Sequence, residues 1–190
     1  MKRLKTTVLF FLMAFGAFAQ SNTWAVDHSH SSVSFSVEHL VISEVQGQFK
    51  DFTGTATTTG SDFNNAQVEF TIKTASVFTD DEKRDGHLQS ADFFDAAKYP
   101  DITFKSTSFK KVDEKNYTLK GNFTMHGVTK PIEFKVKYNG TIKDPYGKTR
   151  AGFKITGKLN RKDFGIAPTT ASTMLGEEIV LVGNIEAVQQ

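Results

Sequence analysis

Residues 117–125 read YTLKGNFTM, and this stretch decides the fold. Tyr117, Leu119, Gly121, Phe123 and Met125 alternate with Thr118, Lys120, Asn122 and Thr124. A period of two places the first set on one face of a strand and the second on the other. Outward from it the pattern recurs. Ile132, Phe134, Val136 and Tyr138 alternate with charged residues, as do Ala151, Phe153, Ile155, Gly157 and Leu159 with mostly polar ones. Toward the N-terminus, Val33, Phe35 and Val37 alternate with serines, and Ala66, Val68, Phe70 and Ile72 with Gln67, Glu69, Thr71 and Lys73. Residues 45–55 and 101–109 add two further strands, and 179–188 reads as a strand apolar on both faces, the mark of a covered strand or a seam.

Eight strands with one apolar face each pack as a sandwich or close into a barrel, and closure removes the exposed edges. Asn139-Gly140 and Asp144-Pro145-Tyr146-Gly147 read as turns between strands. Glycines at 47, 54, 121 and 157 fall inside the alternation, where a small barrel needs bends. One region departs from the period. Thr79-Asp80-Asp81-Glu82 has the form of a capping box, and Ser90-Ala91-Asp92 reads as a second helix start that Pro100 stops. The expected fold is therefore all-β: an eight-stranded antiparallel barrel with a short helical insertion around residues 80–97.

The first 19 residues read as a leader. Lys2, Arg3 and Lys5 precede the apolar run 8–15, and Ala17-Phe18-Ala19 has the small-x-small form of a cleavage site. The apolar run is short of the roughly 20 residues a spanning helix needs. The expectation is a signal peptide over 1–19, cleaved near Ala19-Gln20, and one domain over 20–190 in a periplasmic or secreted location. Of 23 Lys and Arg in the chain, those three leave 20 against 21 Asp and Glu, a net charge of −1. A near-neutral protein offers no electrostatic case for binding nucleic acid.

The chain has no cysteine, which excludes disulfides, thiolate metal sites and Cys nucleophiles. His28 and His30 would share a strand face, with His39 nearby in sequence, and a His-dependent metal enzyme is the rival reading they raise. H-x-H without a third ligand at a recognisable spacing is a weak signal. Ser29, Ser31 and Ser32 lie beside these histidines, but no G-x-S-x-G is present. No catalytic residue, metal or cofactor is assigned. Arg84-Asp85-Gly86-His87 could present a cation and an imidazole to a head group, or pin the helix to the barrel rim. Arg161-Lys162-Asp163-Phe164-Gly165 could bind a phosphate, but reads first as a turn with Asp163 bonding backbone and Phe164 tucked inward.

The inward face is the most informative feature. Phe35, Phe49, Phe70, Phe104, Phe123, Phe134 and Phe153 come from seven different strands. An eight-stranded barrel is the size at which side chains either just fill the interior or leave room for one small ligand. The alternation alone leaves a filled structural barrel and a hollow carrier both open.

Several motifs together resemble the YceI-like family of exported bacterial proteins. They are Trp24-x-x-Asp27 with His30-Ser31-x-Val33-x-Phe35-x-Val37-x-His39, Val45-x-Gly47-x-Phe49-x-x-Phe52-x-Gly54, Arg84-Asp85-x-His87-Leu88, Asp92-Phe93-Phe94-Asp95 and Tyr99-Pro100-x-Ile102-x-Phe104-x-Ser106. Gly121-x-Phe123-Thr124-x-His126-Gly127-Val128-Thr129-Lys130 and Asn160-Arg161-x-Asp163-Phe164-Gly165 complete the set. The resemblance implies a lipocalin-like barrel that binds rather than catalyses, holding a long isoprenoid or other long-chain lipid in its lumen. On that reading Phe35, Val37, Phe49, Phe70, Phe104, Phe123, Phe134 and Phe153 line the lumen. His30, His39, Arg84, His87 and Arg161 are the candidates near the head group. Contact with a membrane or its proteins, and a homodimer, are compatible with it.

Overall fold

A computed structural model describes residues 21–60 and 62–190; the leader expected over 1–19 lies outside the described residues. Three strand courses are each broken once. β1 (Asn22–Val26) and β2 (Ser32–His39) are separated by a 3-10 turn at His28–His30. β3 (Ser43–Phe49) and β4 (Phe52–Thr58) are separated at Lys50 and Asp51, and β5 (Gln67–Lys73) and β6 (Val77–Phe78) by a 3-10 turn at Thr74–Ser76. After helix α1 (Glu82–Gln89) come four long strands, β7 (Asp101–Lys111), β8 (Asn116–Met125), β9 (Val128–Lys143) and β10 (Thr149–Asn160), and then β11 (Leu175–Gln189).

Every pairing is antiparallel, and β1, β4, β5, β7, β8, β9, β10 and β11 close into a ring through the contact of β11 with β1. Closure leaves no long free edge in that ring. β2, β3 and β6 continue the wall from the other part of β11, which pairs with β2 over Ile179–Asn184 and with β1 over Ala187–Gln189. The length of β11 makes it the seam, and its inward residues Ile179, Leu181, Ile185 and Ala187 pack in the core.

The three breaks have a common cause in the pleat. In β3 the buried residues Gly47 and Phe49 are odd-numbered; in β4 Phe52 and Thr58 are even-numbered. The same switch separates Trp24 from Phe35 and Val37, and Ile72 from Val77. A strand that keeps one face inward must break to change parity, because a one-residue slip turns every side chain over. Residues read as the single strand 45–55 thus form two strands with a corner between them.

Two turn expectations change. Asn139-Gly140 is not a turn: it sits inside β9, where the register with β10 slips between Gly152 and Phe153, and Gly140 has φ of 123°. This is a bulge in a long strand. In the insertion, α1 ends at Gln89, and residues 90–99 form successive turns rather than a second helix. The N-cap is Asp81, not Thr79. Its carboxylate accepts from the Lys83 and Arg84 amides, which frees the buried Thr79 for other partners.

One end of the barrel is plugged by aromatic side chains. Phe63, from the loop between β4 and β5, packs against Trp24 at 5.1 Å, Phe153 at 4.8 Å and Tyr138 at 5.7 Å between ring centres. The loop after β2, residues 79–99, the β8–β9 turn and residues 161–174 gather at the other end, the mouth.

Candidate functional site

Between plug and mouth the barrel is hollow. The cavity is about 170 Å³, close to the roughly 150 Å³ of an apolar cavity that holds one benzene-sized guest. Its walls are Phe, Leu, Ile, Val and Met side chains from all around the ring. Phe35, Val37, Phe49, Phe70, Phe104, Phe123 and Phe134 line it. Phe153 does not: it points the right way but lies a level too deep, in the plug with Phe63 and Tyr138.

Room exists because several rings lie down against the wall. Phe35 is the cross-strand partner of Gly47, and Phe70 of Gly54. At Gly47, Gly54, Gly121 and Gly157 an added Cβ would come well inside 3.0 Å of Phe35, Phe70, Phe104 and Phe134 respectively. Each glycine is the gap into which a neighbouring ring folds, and the ring that folds there leaves the axis clear.

Sequence reading missed much of the mouth. Leu88, Phe93 and Phe94 close over the cavity from the insertion and are each half-buried. Ile155, Leu159, Ile179 and Leu181 complete the wall. The alternation in 151–159 held the signal for the first two; 179–188, apolar on both faces, gave no way to choose the inward set.

Arg161 is the sole charged residue among the described lining residues, and it is not available to a ligand. Its side chain is 1% exposed. All five N–H groups donate to backbone carbonyls: Nε to Gly176 at 2.9 Å, Nη1 to Ile166 at 3.0 Å and to Ala167, Nη2 to Thr170 at 3.1 Å and Leu175 at 2.9 Å. Burial lowers its pKa from the ordinary arginine value, with Glu177 opposing. The head-group role considered for Arg161 therefore gives way to a structural one: it knots residues 161–176 into the rim. The expected turn at Arg161–Phe164 is present, with Phe164 buried against Phe123 at 5.7 Å, although Asn160 rather than Asp163 caps it.

Arg84 is also committed locally. Its Nε donates to Thr79 Oγ1 at 2.7 Å and its Nη2 to Thr79 O at 2.6 Å, while the Asp85 carboxylate accepts from the Thr79 amide and hydroxyl. These bonds pin α1 to the end of β6. His87 is exposed at the mouth, edge-on to Phe93 at 4.9 Å and 3.5 Å from Asp92. His39 is exposed where β2 ends. His126, not among the candidates, bonds Phe164 O at 2.9 Å and packs on Tyr99.

His30 is far from this rim. It lies on the turn between β1 and β2, 2.9 Å from Asp27. Seven residue steps along the strand separate Ser32 from His39, roughly 23 Å at 3.3 Å per step. His28 stacks on Phe52 and bonds Lys50 O. The three histidines of the metal-enzyme reading therefore do not converge. Asp27, His30 and Glu186 do come within 4.8 Å of one another, but Arg150 already bridges that group. Its guanidinium reaches Asp27 at 2.6 Å, Glu186 at 2.5 Å and Asp144 at 2.6 Å. Hydrogen bonds from His30 and Arg150 hold the Asp27 carboxyl down to about 2. Near the mouth, Lys162, Ser172 and Asn160 hold Glu177 at about 2.

Among the described residues the site thus presents an apolar tube without a free polar group inside, rimmed by two exposed imidazoles, His39 and His87. Residues 24–187 match the family described as YceI-like domain. Protein YceI of Salmonella newport is 40% identical over 194 residues, spanning 98% of this chain and 100% of that one. The crystal structure of the Campylobacter jejuni YCEI protein is 38% identical, with a TM-score of 0.72 over 80% of this chain and 90% of that one. A polyisoprenoid binding domain from Saccharophagus degradans, 13% identical, shares the fold with a TM-score of 0.64 over 86% of this chain and 97% of that one.

Proposed function

Because the chain belongs to the YceI-like family, we propose that it is an exported carrier that holds the hydrocarbon tail of an isoprenoid or related long-chain lipid in its barrel. The observation that carries this reading is the cavity itself: about 170 Å³ walled by apolar side chains, whose one charged neighbour among the described residues spends every donor on backbone. Such a space has nothing to offer a polar substrate and no acid, base or nucleophile for a reaction. The binding named for the Saccharophagus domain of the same fold supports the ligand class.

The drive is solvation. About six methylene-sized groups at about 0.8 kcal/mol each give roughly 5 kcal/mol gross inside the cavity, and the part of the tail covered at the mouth adds to it. Ordering the tail and the loss of free motion take back a large part of that. The cavity takes the bulk of about one isoprene unit, so a longer tail extends through the mouth, and the head group stays outside among His39, His87 and the exposed edge of the insertion. The basic, apolar and small-residue succession of residues 1–19 supports export to the periplasm, where free hydrocarbon would otherwise meet water.

Mass spectrometry of organic extracts from protein purified out of its native host tests the reading. A stoichiometric long-chain lipid is the expected result; protein free of extractable lipid would favour a purely structural barrel.

A further inference from the structure

The mouth has two unlike sides. On one, Leu40, Val41 and Ile42 at the β2–β3 turn are 47%, 57% and 85% exposed, and Met174 beside them is 57% exposed. The Leu40 amide donates to Met174 O at 3.1 Å, so the two segments form one lip. Residues 39–43 and 164–176 contain no Asp, Glu, Lys or Arg. The lip continues inward, since Leu175 and Ile166 line the cavity. On the other side, residues 79–99 carry six acidic residues against Lys83, Arg84 and Lys98.

The backbone of the lip is strained. His39 O accepts from the Ile42 amide, and both central residues of this tight turn have positive φ, Leu40 at 53° and Val41 at 61°. Turns of that shape favour Asn-Gly, and a β-branched residue there is a genuine outlier. Seven described non-glycine residues have positive φ. Asn65, Asp80, Asp95 and His126 are of types that tolerate it; of the other three, Leu40 and Val41 are the exposed pair at the tip of the lip, and Ala167 is buried. Exposed apolar residues held in an unfavourable conformation do nothing for the fold, so their use lies outside it.

We propose that the lip is a membrane-docking edge: Leu40, Val41, Ile42 and Met174 enter the surface of a zwitterionic bilayer and set the mouth against it. The inference rests on the carrier reading for its purpose, since a tail could then pass between bilayer and tube along apolar surface without crossing water. Charge selects this occupant. The uncharged tip of the lip enters the interface of neutral lipid freely, while Glu38, Glu44, Glu177 and Glu178 at its base and the acidic insertion across the mouth are repelled by anionic head groups. Neutral vesicles therefore bind as well as or better than anionic ones.

The test is cosedimentation of the exported protein with phosphatidylcholine vesicles, with and without added phosphatidylglycerol, alongside the double variant Leu40→Asn/Val41→Gly. The variant gives the turn the residues its backbone favours, so its thermal midpoint rises while its vesicle partition falls about tenfold or more. Wild-type protein that fails to bind neutral vesicles, or a variant that binds as wild type does, overturns the proposal. So does a fall in the midpoint, which would make these side chains part of the packing. A wild-type dimer that the variant dissociates, with vesicle binding unchanged, would assign the lip to a second copy instead. Organic extraction of both proteins is read separately: absence of lipid from both overturns the carrier reading, while a lost vesicle partition in the variant still supports the docking edge.

Discussion

The ring of Phe134 lies across Gly157 of the neighbouring strand, in the space that any side chain on residue 157 would need. Phe104 does the same to Gly121, Phe70 to Gly54 and Phe35 to Gly47. A phenylalanine that faces inward normally fills a small barrel. Here four of them turn aside, and the hollow results from the pairing of large residue with none.

Gly157→Ala should therefore fill the cavity from a distance. The new methyl displaces the Phe134 ring toward the axis, at a cost of about 1–3 kcal/mol in stability. Extractable lipid should fall in the same variant. Adding Phe134→Leu removes the clash and should restore both. Urea unfolding followed by the emission of Trp24, the single tryptophan, gives the stability. A Gly157→Ala protein of unchanged midpoint and lipid content would show that the ring has another place to go.

Arg161 should behave as a structural knot. Arg161→Met orphans five backbone carbonyls at the rim and should cost about 3–5 kcal/mol, by analogy with removal of one partner from a buried ionic contact. Arg161→Lys offers three donors from one point and should recover only part of the loss. Urea midpoints of the two variants check this; a Met variant as stable as wild type would return Arg161 to the list of groups free for a ligand.

Acid should loosen the fold at both ends. Asp27 and Glu177 have folded pKa values of about 2 against ordinary values of 3.8 and 4.5. A carboxyl depressed by folding stabilises the protein above its unfolded value, and that contribution is lost as pH falls through the window down to the folded value. Urea midpoints should therefore drop steadily between about pH 4.5 and about pH 2. Lys162→Ala removes the first cause of the Glu177 shift, so it should lower stability at neutral pH and flatten the acid limb. Superimposable acid limbs for the two proteins would contradict this assignment.

Much of this was legible in the residues. Alternation gave seven of the eight strands of the closed ring, with β2 and β3 beside them, but not the short β1, and the break around 80–97 gave the insertion. The corners were written in the sequence too, as the change from Gly47 and Phe49 to Phe52 and Gly54, but a parity switch is visible only to a reader who already knows which face is buried. The hollow was not legible. Phe153 and Phe134 occupy equivalent positions in their strands, yet one is in the plug and the other in the wall. Depth along the barrel depends on strand stagger, which no local pattern records. Arg161 likewise had the chemistry of an anion site, and only the folded chain of 166–176 around it shows where its donors go.

The central claim is that the lumen is empty for a tail to occupy, and it can be tested by filling the lumen without adding a charge. Leu181 is half-buried, faces the cavity and pairs with Gly157 across β10 and β11. Leu181→Trp places an indole in the existing void. Lipid extracted per mole of protein should fall about tenfold or more while the urea midpoint changes by less than about 1.5 kcal/mol equivalent, because a void is filled rather than a packed core overfilled. A folded Leu181→Trp protein carrying as much lipid as wild type would mean that the tail does not lie in this barrel.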